Sequence, residues 1–384
     1  MQFRDLRAQY ANYKGSIDAA IQKVIDHAEF IGGEEVLLLE RELADYVGVK
    51  HCISCANGTE AMTLVLMAWG IGAGDAVFIP DFTFFATGEV VAFCGATPVF
   101  VDVDKHTFNM DPAALEKAVL SVLQEGKLKP KAVIPVDLFG LPANYPAIED
   151  VAKKYGLRIL EDGAQGFGGS LGGKLACSFG DAATTSFFPA KPLGCYGDGG
   201  AIFTNDDDLA TLLGSLKVHG KGTSKYDNVR VGVNSRLDTL QAAILRVKLK
   251  ALVAHELTDV NRIAKLYDKA LHGAVEIPII PDGYYSSYAQ YTIKLKCEQQ
   301  RDELQVWLQQ SGIPSLVYYI KPLHAQGAFA YLGRTDTEYP VATELCKVVL
   351  SLPMHPYMTQ GDIDQVICAI MSFMNQAELS HRSL

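Results

Sequence analysis

The chain has little positive charge to spare. Its 34 Lys and Arg stand against 44 Asp and Glu, a formal charge of −10, and no Lys/Arg block occurs anywhere along it. That excludes the basic face that nucleic acid or an anionic membrane demands. Long hydrophobic runs are lacking as well: no stretch reaches the roughly 18 apolar residues of a membrane span. Residues 1–7, MQFRDLR, are charged where a signal peptide would be apolar. A soluble, cytoplasmic protein is the expectation. Cysteine is dilute, eight in 384 residues, which rules out a disulfide scaffold. Cys52 and Cys55 form a CxxC, but HCISC reads as a short apolar strand and not as the helix start a redox motif requires. With no second Cys/His pair at ligand spacing, these are buried small hydrophobes, and no metal site is expected. Neither a GxxxxGK[ST] nor a GxGxxG fingerprint follows a strand, which argues against a P-loop protein and against a NAD-dependent dinucleotide fold. What the chain does have is 49% hydrophobic and 20% charged residues, enough for a large core and two domains.

Two helices are predicted in the first 50 residues, one from Ile17, Ile21 and Ile25 at helical spacing and one over 34–46. Beyond His51 short apolar runs at 76–79, 97–101, 132–136 and 157–160 alternate with helix-length segments at 58–70, 112–123 and 146–155. This alternation predicts an α/β protein, a mostly parallel, doubly wound sheet buried on both faces. Residues 162–204 are glycine-dense and contain two further strand-like runs, TTSFF and GAIFT; loops of this kind concentrate ligand contacts. A long amphipathic helix over 237–271 precedes Pro278, Pro281 and Gly283. We therefore expect a large domain over 1–255 and a smaller α+β domain over 256–384.

Three segments carry chemistry. In Asn57-Gly58-Thr59-Glu60 a turn feeds a helix directly after a strand, so free amides and a Thr hydroxyl could receive a phosphate; Asn57 would serve equally well as a plain N-cap. Asp162 ends an apolar strand at the carboxyl edge of the sheet, where it could hold a cationic ring nitrogen or simply cap a turn. Lys191, in SFFPAKPLG, is a lone cation at the end of an apolar run. Partial burial would lower its pKa and make it an amine nucleophile, and the alternative is a structural lysine bonded to loop carbonyls. Ser186 offers a hydroxyl beside it. A phosphate cup, a carboxylate for a pyridine nitrogen and a lysine for an aldehyde together describe pyridoxal phosphate.

Those residues sit in longer motifs: NGTEA at 57–61, PDFTFFAT at 80–87, LEDGAQ at 160–165, SFFPAKPLGCYGDGGAIFTND at 186–206 and GVNSRLDTLQAAIL at 232–245. In these the chain resembles the DegT-type sugar-nucleotide aminotransferases, within the aspartate-aminotransferase fold type I of pyridoxal-phosphate enzymes, over about 3–374. The resemblance implies a three-layer fold with helices on both faces of the sheet. It implies that Lys191 joins the cofactor aldehyde and later moves a proton, that Asp162 pairs with the pyridine nitrogen, and that Gln165 bonds the phenolic oxygen. Phe84 would stack on the ring, and Gly58, Thr59 and Ser186 would hold the phosphate. Asn234 would reach the phosphate from a neighbouring subunit, with Arg236 beside it facing substrate, so the resemblance implies a homodimer with shared active sites.

Substrates follow from the same resemblance: L-glutamate as amino donor and a nucleotide-linked keto sugar as acceptor. SFFPxK with GxNSRLD resembles members that aminate C3 of the sugar, and within that group Cys195-Tyr196-Gly197 and the runs YAQYT at 288–292 and SLPMHPY at 351–357 most resemble those acting on UDP-linked 2-acetamido-3-keto-uronic acids for surface polysaccharides. One departure is visible. Relatives read VHYPxPL where this chain has Val317-Tyr318-Tyr319-Ile320-Lys321-Pro322-Leu323, so Tyr318 takes the place of a substrate-side His and, unlike it, cannot become a cation near pH 7. His324 and His355 serve packing or the substrate pocket; His324 is the one we expect near substrate. Three alternatives remain open: a C3 or C4 aminotransferase acting on a different dTDP- or UDP-linked keto-deoxysugar, a related dehydratase, against which Lys191 argues, and a pyridoxal-phosphate regulator, against which the missing basic patch argues.

Overall fold

The computed structural model describes residues 1–224 and 226–382, with side chains through Gln376. In chain order the elements are α1 (Leu6–His27), α2 (Glu34–Val47), β1 (His51–Cys55), α3 (Gly58–Ala68), β2 (Asp75–Pro80), α4 (Ala86–Phe93), β3 (Thr97–Val101), α5 (Pro112–Glu125), β4 (Lys129–Val133), α6 (Tyr145–Tyr155) and β5 (Arg158–Asp162). They continue through β6 (Ser170–Leu171), β7 (Lys174–Leu175), β8 (Ala182–Ser186), β9 (Gly200–Thr204), α7 (Asp207–Leu216), α8 (Thr239–Ala251), α9 (Leu257–Leu271), β10 (Tyr284–Tyr285), β11 (Tyr291–Lys294), α10 (Glu298–Gln310), α11 (Pro340–Val348), β12 (Val349–Leu352) and α12 (Gln360–Arg382).

Seven strands form one sheet in the order β1-β9-β8-β5-β4-β2-β3. Only β9 runs against its neighbours, so the sheet is mostly parallel as expected. Alternate side chains on each strand face opposite layers. Ile53, Val77, Ile79, Leu160 and Ala182 pack on one side with Leu64 and Val65 of α3 and Val90 of α4. Their chain neighbours face the other way. Cys52 and Ala183 meet Leu39 of α2 and Leu245 of α8, while Phe78 and Ile159 meet Leu115 of α5 and Ile148 of α6. Because both faces are covered, the strands read as continuous apolar runs in the sequence. Cys52 and Cys55 belong to this packing; burial pushes both thiols up, that of Cys55 to about 12, and leaves them inert.

A separate core gathers α9, α10, α12 and the antiparallel pair β11–β12, with Tyr267, Tyr291, Leu304 and Ile370 at its centre. Residues 323–349 of the same C-terminal segment pack back into the sheet's core through Leu323, Phe329 and Leu345. The long helix expected over 237–271 is present but not uniform: a π turn at Leu252–Glu256 separates α8 from α9. No helix among the described residues is long and apolar enough to cross a membrane.

Candidate active site

The carboxyl ends of β1, β2, β5 and β8 open on one edge of the sheet, where ligands bind in folds of this kind. After β1, Asn57 caps α3 by accepting from the Glu60 amide at 2.8 Å. Gly58 and Thr59 head that helix, so their amides have no intrahelical partner and the positive end of the dipole lies behind them. The approach of β8 is too close for any side chain at 58: a Cβ there would lie 2.7 Å from Ser186 Cβ. Gly200 closes the back, since its Cβ would lie 2.5 Å from the Asn57 carbonyl oxygen. The Ser186 oxygen accepts from the Phe188 amide at 3.2 Å, which leaves its own O–H free to donate. Free amides, a hydroxyl and a helix start make a cradle for a dianionic group.

Asp162 ends β5 almost fully buried, with Thr87, itself at zero exposure, donating to Oδ2 at 2.9 Å and the Ala164 amide to Oδ1 at 3.2 Å. Burial raises the Asp162 carboxyl above the usual range, and the Thr87 hydroxyl, the Lys191 ammonium and the Ala164 amide oppose it. Lys191, partly buried, has its proton affinity lowered, chiefly by desolvation; Asp162 raises it and Arg4 lowers it further. The fold therefore sets an amine whose proton is held less tightly than usual within electrostatic reach of a carboxylate that profits from a cationic partner.

Around this pair the structure adds groups from distant segments. Gln165 accepts from the Phe139 amide at 2.7 Å and donates through Nε2 to the Tyr319 hydroxyl at 3.0 Å. Phe84, on the loop after β2, is 55% exposed, and its ring faces Tyr319 at 6.4 Å between centroids. Tyr318 is partly buried and lies edge-on to Tyr319 at 5.7 Å; burial raises both phenols, so they are neutral donors. His324 is buried between two carboxylates. Its amide donates to Asp81 Oδ1 at 2.8 Å, Nδ1 meets Asp81 Oδ2 at 2.6 Å and Nε2 meets Asp336 Oδ1 at 2.9 Å. Burial works against the imidazolium, but the two carboxylates outweigh it and raise the pKa. Both ring nitrogens are thus engaged, and His324 pins the 318–325 segment to the end of β2.

Asn234 and Arg236 lie on the segment leading into α8. Asn234 is exposed and its side chain makes no hydrogen bond among the described residues, whereas Arg236 is half-buried with Nε sealed from solvent and unpartnered. Sequence reasoning did not single out Thr87, Tyr319, Asp81 or Arg4. Thr87 and Asp81 stand inside the PDFTFFAT motif and Tyr319 beside Tyr318, so those motifs pointed near them. Nothing local marked Arg4, whose Nη2 donates to the Lys191 carbonyl at 2.8 Å.

The DegT/DnrJ/EryC1/StrS aminotransferase family matches residues 12–371. A similar curated protein is UDP-2-acetamido-2-deoxy-3-oxo-D-glucuronate aminotransferase from Pseudomonas aeruginosa, 47% identical over 97% of this chain and 99% of that one. Among solved structures, a DegT DnrJ EryC1 StrS aminotransferase from Brucella abortus superposes with a TM-score of 0.95 at 50% identity, covering 97% of this chain and 99% of that one. NtdA from Bacillus subtilis, solved with bound cofactor PMP, superposes with a TM-score of 0.86 at 26% identity, covering 97% of this chain and 83% of that one.

Proposed function

Because the chain belongs to the DegT/DnrJ/EryC1/StrS aminotransferase family, we propose that it is a cytoplasmic pyridoxal-phosphate-dependent aminotransferase. It transfers an amino group from L-glutamate to the C3 ketone of a UDP-linked 2-acetamido-3-keto sugar of uronic-acid type, for surface-polysaccharide synthesis. The observation that supports the cofactor is the convergence of Lys191, Asp162 and a cradle of the Gly58 and Thr59 amides with the Ser186 hydroxyl at one sheet edge. The P. aeruginosa relative supports the sugar.

When bound, pyridoxal phosphate supplies an aldehyde that an amine can capture and a ring that takes up the electron pair released at the amino acid's Cα. The chain's own groups do the rest. Lys191 presents its amine with the proton already destabilised by desolvation; it would be the residue that holds the cofactor's aldehyde carbon, and its amine would be the group that takes and returns the Cα proton. Asp162 keeps a proton on the ring nitrogen, because a buried carboxylate gains most from a cationic neighbour. Gln165 would donate to the phenolic oxygen and Phe84 would cover the ring. Asn234 completes the phosphate site of a partner subunit, so the proposal includes a homodimer with shared sites; the exposed apolar side chains of Phe30, Ile31, Phe188 and Val231 support it. We also propose that the chain divides into domains at 255/256.

Arg236 meets an anionic part of the sugar nucleotide, supported by its sealed, unpartnered Nε. Tyr318 and the 318–325 segment, with His324 as its anchor, line the sugar side. The uncharged Tyr318, where the resemblance leads one to expect His, also favours a second reading, a C3 or C4 aminotransferase acting on a different dTDP- or UDP-linked keto-deoxysugar. The absorption spectrum of wild type and Lys191→Ala, before and after L-glutamate, tests the chemistry: a lysine-dependent visible band must bleach with glutamate in wild type and be missing in the variant. Turnover of UDP-2-acetamido-3-keto-glucuronate against its C6-deoxy and dTDP counterparts, in wild type and Arg236→Ala, separates the two sugars. An unchanged Michaelis constant in Arg236→Ala would overturn that residue's role.

A further inference from the structure

The loop that carries Lys191 is folded back on itself. The Phe187 amide donates to Gly199 O at 2.7 Å, the Cys195 amide to Phe187 O at 2.8 Å and the Lys191 amide to Phe188 O at 2.9 Å. Gly194 presses so tightly on the start of the loop that a Cβ would lie 2.5 Å from the Pro189 carbonyl oxygen. The carbonyls of Lys191, Pro192 and Gly194 take no part in these three internal bonds. Two cations from far along the chain take them. Arg4, immediately before the Asp5 cap of α1, donates through Nη2 to Lys191 O at 2.8 Å and to Pro192 O at 3.4 Å. Lys248 of α8, 1% exposed, donates to Gly194 O. Since α1 packs on α8, both arms of this clamp stand on one helix pair.

We propose that Arg4 is a positioning residue for Lys191. It holds the backbone of the lysine loop by its carbonyls, braced by Lys248, and stands as a permanent positive charge behind the reacting amine. This rests on the reading of Lys191 as that amine. A four-carbon stem has ample freedom, so the amine is placed only as well as the backbone beneath it is held. Arg suits the task because its planar guanidinium carries several donors and stays charged even when partly desolvated. Its surroundings are balanced: buried Glu256, which accepts from Gln9 and Tyr357, faces Arg4 with opposite charge, as Asp162 faces Lys191 from β5. Lys248 is lowered to about 8, chiefly by burial and further by Arg4, against the pull of Glu256. Desolvation is the main cause of the lowered affinity at Lys191, and Arg4 adds to it against the pull of Asp162.

The test uses the cofactor-loaded full chain. Wild type, Arg4→Met and Arg4→Lys are titrated with pH at the visible band of the lysine-bound cofactor, and kcat and KM for L-glutamate are measured alongside. In Arg4→Met the midpoint should rise on the order of 0.5 to 1 unit, because a cation has been removed from a low-dielectric neighbourhood. Its kcat should fall about tenfold or more, with KM for glutamate held within about threefold. Arg4→Lys should return the midpoint towards wild type by restoring the charge. Arg4→Gln, which keeps a donor and drops the charge, carries the same midpoint test if the Met variant is unstable. A midpoint and kcat both unchanged in these variants overturn the proposal. Should wild type show no band, the reading of Lys191 is what fails. The pH midpoint for acetylation of Lys191, followed by mass spectrometry in the same proteins, then decides the role of Arg4, and no upward shift in Arg4→Met overturns it.

Discussion

Thr87→Val is the perturbation that isolates what holds Asp162 in its ionised form. The substitution exchanges a hydroxyl for a methyl of similar shape at a site with zero exposure, so no water enters to replace the lost donor. The bond removed is the 2.9 Å contact to Asp162 Oδ2, made to a group already pushed up by burial. A hydrogen bond to a buried charged group contributes about 1.5–3 kcal/mol, and at 1.36 kcal/mol per unit the Asp162 pKa should climb by about 1–2 units. The sign is set by the state that is stabilised: Thr87 donates to the carboxylate, so its loss favours the neutral acid. The acid limb of the kcat/KM profile should therefore move to higher pH by that amount, with activity on the limb about 10–100-fold below wild type and convergence above it. Thr87→Ser, which retains the hydroxyl, should restore the limb. Stopped-flow half-reactions with L-glutamate across pH measure it directly. If a folded Thr87→Val variant kept its acid limb in place, Asp162 would not be the group that the reaction needs ionised.

Gly58→Ala should push the start of α3 away from Ser186, since its new Cβ would lie 2.7 Å from the serine Cβ; overpacking of this kind costs about 1–3 kcal/mol. Cofactor titration should show at least roughly tenfold weaker binding, and unaltered affinity would argue against the cradle. Tyr319→Phe removes the acceptor at 3.0 Å from Gln165 Nε2 and should lower kcat/KM by about 2- to 10-fold, the range of one neutral hydrogen bond, with the fold intact by circular dichroism. Asp137 and Glu161 are both fully buried, and each feels the other's charge. Desolvation raises both carboxyls, Asp137 to about 6. The folded state therefore keeps protons that the unfolded chain releases above pH 4; the contribution of Asp137 is complete below about pH 4 and is lost as pH rises through 6, whereas that of Glu161, held well above the usual carboxylate range, persists to higher pH. Asp137→Asn cannot titrate, so its stability relative to wild type should increase between pH 4 and 7 in urea denaturation. A pH-independent difference would show that the pair holds no extra proton.

The elements that position the site were legible because their signals are local. Asn57 with Glu60 three residues on marks a helix start whether or not the rest of the chain folds, and the alternation of short apolar runs with helix-length segments reports a sheet covered on both faces. Asp162 and Lys191 were candidates through the motifs that carry them, and the fold brings them within electrostatic reach of each other. The π turn at Leu252–Glu256 was not, because it leaves the apolar periodicity of the flanking helices almost undisturbed.

Sequence by itself determined the kinds of groups available: free amides at a helix start, a carboxyl at a strand end and an amine in a glycine-rich loop. Which of them meet was decided only by tertiary packing. Arg4 reaches the Lys191 carbonyl across 187 residues, Gln165 meets Tyr319 across 154 and His324 meets Asp81 across 243. No periodicity records such pairs, because each contact arises from two elements brought together by burial of apolar faces elsewhere. The same holds for protonation. A lysine or an aspartate has one affinity in an open chain. Here desolvation and a few neighbours fixed by the fold move Lys191 down and Asp162 up, and these are properties of position in a low-dielectric interior.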